Sequence, residues 1–168
     1  GFLSYMELFL VVFGESLSIV AQRVANVLFL LSSYAAILLL KERLYPDERP
    51  NCLCILLLGA CVQPLLFCAV PYATIPSFAL SVWGIFFFCK YLKTRRKLPL
   101  IACALLEAAA VYLKPNAWIV LITLCIVLVL DAIRKKRPVS LLACLLIAGL
   151  AIPGPRLIQS AYEARTGV

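Results

Sequence analysis

Residues 77–137 read SFALSVWGIFFFCKYLKTRRKLPLIACALLEAAAVYLKPNAWIVLITLCIVLVLDAIRKKR. A first apolar run ends in a basic bunch made of Lys90, Lys93, Arg95, Arg96 and Lys97. Two more apolar runs follow, 98–113 and 116–133, parted only by Lys114-Pro115, and a second basic bunch, Arg134 to Arg137, closes them. Two apolar crossings thus separate one cationic connector from the next. A polytopic membrane protein has this pattern when its short loops on one side of the bilayer carry the lysines and arginines.

The rule extends in both directions. Lys41, Arg43 and Arg49 form another bunch, and between it and Lys90 lie residues 51–70, the uncharged turn Pro71-Tyr72-Ala73-Thr74-Ile75-Pro76, and residues 77–92. The only lysines and arginines outside the three bunches are Arg23, Lys114, Arg156 and Arg165. The expected fold is all-α, a polytopic transmembrane helical bundle of about six spans plus one N-terminal interfacial helix. The spans are residues 17–40, 51–70, 77–92, 98–113, 116–133 and 138–157. The basic connectors 41–50, 90–97 and 134–137 are expected in the cytoplasm. The opposite face carries the N-terminal helix and the turns at 71–76 and 113–116. The chain reads as a single membrane domain, 1–168, of a longer protein: an extracytoplasmic interfacial helix over 1–16, spans over 17–158 and an extracytoplasmic tail over 159–168.

Composition supports a lipid surround. The chain is 64% hydrophobic and 14% charged, with a mean hydropathy of +1.03, against roughly 45–50% apolar residues in a soluble domain. A soluble domain of about this size buries only about 70% of its unfolded surface. The net charge of +8 would by itself suggest nucleic acid. Its concentration beside apolar segments makes membrane lipids with anionic head groups the nearer partner, and no nucleic acid is expected. The eight cysteines all fall within or beside apolar runs, without a CxxC pair or any histidine. They read as small packing residues, with no metal and no cofactor implied.

Residues 2–13 are too short to cross a core of about 30 Å. Their apolar positions 2, 3, 6, 9, 10 and 13 recur at helical spacing around Glu7, which suits an interfacial helix ended by Gly14.

An ionisable side chain at membrane depth is costly and therefore a functional candidate. Glu107 and Lys114 are two helical turns apart on nearly one face of the 98–113 run. They are too far apart to touch on a straight helix but are able to line one polar cavity. The simpler alternative has Glu107 bonded to a neighbouring helix and Lys114 reaching for the interface. Pro115 suits a helix start, whose free amide protons beside Lys114 would favour an anion such as phosphate. Tyr72 in the other outer turn and Tyr112 near Lys114 fit an aromatic belt by default. Arg23, with Gln22 and Asn26, forms a small polar group at the outer start of the first span. Of the outer-side carboxylates Glu7, Glu15 and Glu163, none has an evident partner in the sequence. No nucleophile, metal-ligand set or nucleotide loop can be assembled.

The stretch GFLSYMELFLVVFGESLSIVAQRVANVLFLLSSYAAILLLKERL, with Phe13-Gly14 followed by Gln22, Arg23 and Asn26, resembles integral-membrane glycosyltransferases of the family-39 type. These belong to the GT-C superfamily and are relatives of the protein O-mannosyltransferases and aminoarabinose transferases. LIACALLEAAAVYLKPNAWIVLITLCIVLVL is similar to that family's small-residue helix followed by Lys-Pro or Arg-Pro, and AYEARTGV to the segment that follows in Gram-positive members. The resemblance implies a polyprenyl-phosphate sugar donor, an acceptor reached from the extracytoplasmic side and a bacterial plasma-membrane location. It matches Lys114 to the family's Lys-Pro or Arg-Pro position, near the donor phosphate or the cavity wall; Glu107, Tyr72 and Arg23 complete the candidate substrate-binding set. It also implies a catalytic aspartate in a loop preceding Gly1, so no catalytic residue is assigned here. Thr74 stands where Gram-positive members often carry a carboxylate, which puts any acceptor-binding role of that position in doubt. The reading from another class is a segment of a transporter or lipid flippase, with Glu107 on a substrate path. A non-catalytic scaffold is a third.

Overall fold

The computed structural model describes residues 2–45, 60, 62–70, 72–135, 149, 160 and 164. The expected span 138–157, most of 51–70 and the tail lie outside the described residues. Nearly all of those described are helical, with no strand among them. In chain order the elements are α1 (Phe2–Leu44), α2 (Val62–Ala69), α3 (Thr74–Thr94), α4 (Lys97–Leu113), a 3-10 turn (Pro115–Ala117) and α5 (Trp118–Lys135).

Prolines and one glycine mark where these helices start and bend. Pro76 and Pro99 are each the third residue of their helix, and Pro115 opens the 3-10 turn. In a first turn the amide proton that proline lacks would have no intrahelical acceptor. Pro64 lies within α2. Gly14 breaks α1 with φ 72 and ψ 174, a left-handed conformation open to glycine, and divides it into an arm over 2–13 and a long helix over 15–44. The arm is helical as expected.

Among the described residues three helical segments are long and apolar enough to cross a membrane: Tyr5–Leu44, Thr74–Thr94 and Pro115–Arg134. α4, at 17 residues, rises only about 25 Å. What points to a bilayer is the distribution of side chains. Val11, Leu28, Ile119 and Ile133 are 80%, 61%, 71% and 68% exposed, whereas Gln22, Asn26, Ser33 and Glu107 are at most 1% exposed. Water would favour the reverse, since burying unpaired polar groups costs free energy and exposing apolar ones gains none.

Specific contacts set the helix directions. Asn26 in α1 bonds the turn that precedes α3, and Arg43 near the end of α1 lies over the Phe86 ring of α3, 5.6 Å from its centroid. The 15–44 part of α1 and α3 therefore run in parallel. α4 returns against α3 after Arg95 and Arg96, and α5 runs back again. Phe88, Tyr91, Cys103, Val111, Leu121 and Leu128 form the core of the α3–α4–α5 unit. Lys41, Arg43, Arg95, Arg96, Lys97 and Arg134 consequently gather at one end of the bundle, and Lys114 stands at the other.

Arg95 ends α3 in a left-handed conformation, φ 55, which costs a non-glycine residue roughly 1–2 kcal/mol. Two bonds to Asp131 of α5 offset this: Nη1 donates to Oδ2 at 2.6 Å and Nη2 to Oδ1 at 2.9 Å. The bonds to Asp131 raise the Arg95 pKa above its ordinary value, although burial acts to lower it. A bidentate pair holds both helix ends in one geometry. Asp131→Ala should lower stability by about 1–3 kcal/mol, seen as a lower thermal midpoint in lipid nanodiscs. An unchanged midpoint would show that α5 docks without this pair.

Candidate functional site

The face of α3 made by Thr74, Ser77, Ser81 and Gly84 meets the face of α4 made by Lys114, Ala110 and Glu107. Spacings of three and four residues place each set on one side of its helix. Because the helices are antiparallel, the contacts form rungs. Lys114 Nζ donates to Thr74 Oγ1 at 2.8 Å. Ser77 Oγ donates to the Ala110 carbonyl at 2.9 Å, and Ser81 Oγ donates to Glu107 Oε2 at 3.4 Å. At the deepest rung the Glu107 carboxyl lies against the backbone of α3. A Cβ on Gly84 would come within 2.9 Å of Glu107 Cδ and nearer still to Oε1. Gly84 thus provides the space in which a fully buried carboxyl group fits. Glu107 Oε1 has no hydrogen-bond partner among the described residues.

Lys114 is held by its backbone as well as by its side chain. It is extended, φ −148 and ψ 122; its amide donates to the Ala110 carbonyl at 2.9 Å and its carbonyl accepts from Ala117 at 3.1 Å. The ammonium group is directed toward α3, and Thr74 is neutral. No carboxylate lies within ion-pair distance of Lys114 among the described residues.

Next to this pair is a second polar cluster, centred on Asn26. Its Nδ2 donates to the carbonyls of Val70 at 3.2 Å and Tyr72 at 3.4 Å, which follow the end of α2 and have no helical acceptor role to fill. Its Oδ1 accepts from Tyr5 Oη at 3.1 Å. Every hydrogen-bonding atom of the Asn26 amide is directed at the arm or at the α2–α3 turn, so this one fully buried side chain ties three segments together.

Of the expected site residues, Lys114 and Tyr72 lie at the same end of the bundle and are linked through the turn that carries Thr74. Tyr72 contributes its backbone carbonyl to Asn26, and its side chain is half exposed. Glu107 faces the same stripe of α3 as Lys114 but two turns deeper, and the two do not touch. Arg23 is exposed, off the buried stripe formed by Ser18, Gln22 and Asn26. The roles of Ser77, Ser81 and Gly84 went unread in the sequence. Their signal was a small residue at every third or fourth position of α3, the pattern that lets two membrane helices approach. Among the described residues no group of three or more His, Cys, Asp or Glu side chains could hold a metal ion. No family model, no curated protein and no solved structure matches the chain.

The fit of Glu107 against Gly84 can be measured. Gly84→Ala should cost about 1–3 kcal/mol through overpacking. In the Glu107→Ala background the same substitution should cost much less, because the group it strikes is gone. A double-mutant cycle of thermal or denaturant unfolding in lipid reads the difference directly. Equal costs in both backgrounds would mean that the carboxyl is not what Gly84 accommodates.

Proposed function

We propose that the chain is the middle part of a membrane sugar transferase that moves a sugar from a polyprenyl-phosphate donor to an extracytoplasmic acceptor. In this reading the bundle has six spans, the basic end is cytoplasmic, and Lys114 stands at the extracytoplasmic end of a bacterial plasma-membrane protein. The observation that carries the reading is the Lys114–Thr74 pair: a cation fixed at a helix end by a neutral partner, so that its charge remains to be met by something else. A phosphate group on a lipid carrier supplies the opposite sign at the right depth.

The chemistry follows from that placement. An acceptor oxygen or nitrogen forms a bond to the anomeric carbon as the bond from that carbon to the phosphate oxygen breaks. The electron pair of the breaking bond stays on the phosphate, where negative charge grows, and Lys114 is positioned to stabilise it. The proton leaving the acceptor goes to a carboxylate base that none of Glu7, Glu15 or Glu107 is placed to provide. A transport or flippase reading draws on a different observation, the unpartnered Glu107 Oε1 deep between two helices. It would make Glu107, rather than Lys114, the sensitive residue.

In the full-length protein, Lys114→Ala should lower transfer from a polyprenyl-phosphate sugar by about tenfold or more, while Lys114→Arg retains part of the rate. A wild-type rate in Lys114→Ala would remove this residue from the site. Orientation has its own measurement. A cysteine at Lys97, in a background without other cysteines, should resist a membrane-impermeant maleimide in intact cells and react after permeabilisation. Labelling from outside would invert the bundle and take Lys114 away from an extracytoplasmic donor.

A further inference from the structure

We infer that the basic end of the bundle is a binding surface for anionic phospholipid, gathered around the α3–α4 turn and the adjoining ends of α1 and α5. The inference does not depend on the transferase reading, because it concerns the end of the bundle opposite Lys114.

Three separate segments meet at this end. Arg43 brings α1 to α3 through the Phe86 ring, and Arg95 brings α3 to α5 through Asp131. The second contact matters for charge as well as shape. Asp131 accepts both bonds of the Arg95 guanidinium, so much of its charge is met within the bundle. Lys93, Arg96, Lys97 and Arg134 are all exposed, and among the described residues none of them is in an ion pair. The remaining described carboxylate here is Glu42, exposed on α1. Among the described residues the opposite end shows no such accumulation: Glu7 and Glu15 lie on the same stretch of chain as Arg23, and Lys114 is half-buried.

The kind of anion follows from the side chains beside the cations. Leu98, next to Lys97, is 77% exposed; Ile133, next to Arg134, is 68% exposed; and Leu44, next to Arg43, is 56% exposed. A nucleic acid surface would leave these apolar groups in water. A phospholipid offers a phosphate to the cation and acyl chain to its apolar neighbour, at the boundary where long basic side chains extend toward the head groups. The pairing of a cation with an exposed apolar residue occurs on α1, α4 and α5, so the surface surrounds the end of the bundle instead of occupying one helix. Zwitterionic lipid would satisfy the apolar part equally well. The accumulated positive charge selects an anionic head group.

The test uses the full-length protein extracted from bilayers of phosphatidylcholine with a minority of phosphatidylglycerol, the retained lipid being identified by native mass spectrometry. Wild type should retain phosphatidylglycerol at about threefold or more above its share of the bilayer. The excess should shrink between 0.1 and 1 M salt, as the screening length falls from about 10 Å to about 3 Å. The variant Lys93→Gln/Arg96→Gln/Lys97→Gln/Arg134→Gln should lose the excess, and Lys93→Arg/Arg96→Lys/Lys97→Arg/Arg134→Lys should keep it. Should the fourfold neutral variant not fold, the pair Lys93→Gln/Lys97→Gln is expected to show a partial loss. Retention at the bulk share in wild type, an excess indifferent to salt and to neutralisation, or displacement of the lipid by an oligonucleotide would each overturn the inference.

Discussion

Lipid cannot accept or donate a hydrogen bond, and the arrangement of these helices follows from that. Where water solvates stray polar groups, a helix can carry serine, asparagine or glutamate on any face. In hydrocarbon each must find a partner within the protein. The stripe Ser18, Gln22, Asn26 and Ser33 on α1 and the stripe Thr74, Ser77 and Ser81 on α3 are both turned inward, while valines, leucines and isoleucines face out. The apolar exterior gives the helices little reason to associate, so the polar stripes and the close approach of small residues carry the burden of specificity.

This shifts the meaning of individual residues. Asn26 is buried completely, yet it contributes little apolar surface. Its value lies in supplying donors to two carbonyls of the turn after α2 and an acceptor to Tyr5. Gly84 contributes no side chain, and its importance is the volume it leaves for Glu107. In a water-soluble core the same positions would be filled by larger apolar groups. Here the small residue and the polar residue are complementary halves of one contact.

Local features were legible in the sequence because their causes are local. Gly14 was readable as the end of the N-terminal helix, since a left-handed residue there needs glycine. Pro115 was readable as the start of a helix, since its missing amide proton does no harm in a first turn. The boundaries of α3, α4 and α5 fell close to the edges of their apolar runs for the same reason that the basic bunches do: both are set by the thickness of the bilayer. What escaped reading depends on which helices meet. Nothing in the order of residues pairs Arg95 with Asp131, thirty-six positions away, or Asn26 with the carbonyl of Tyr72, forty-six away. Arg95 looked like one more member of a basic connector. Its conformation and its bidentate bonds set it apart from Arg96 and Lys97, which have the same charge and remain exposed.

The two ends of α3 each hold a cation from a turn, and the comparison bears on function. At one end Arg95 meets a carboxylate whose two oxygens match its planar donors, so the charges cancel and the contact is complete in itself. At the other end Lys114 meets a hydroxyl. That hydroxyl accepts one hydrogen bond from the ammonium and cancels none of its charge. A carboxylate at position 74 would have made the second end like the first, a closed ion pair that holds α3 to α4 and offers nothing to a ligand. Thr74 preserves the position of the ammonium while, among the described residues, leaving two of its protons and its full charge available. If Lys114 served only to join the helices, the stronger partner would serve better. For the transfer we propose, the weaker partner is the suitable one, because the site would accept an anion, stabilise added charge on it and then let it go.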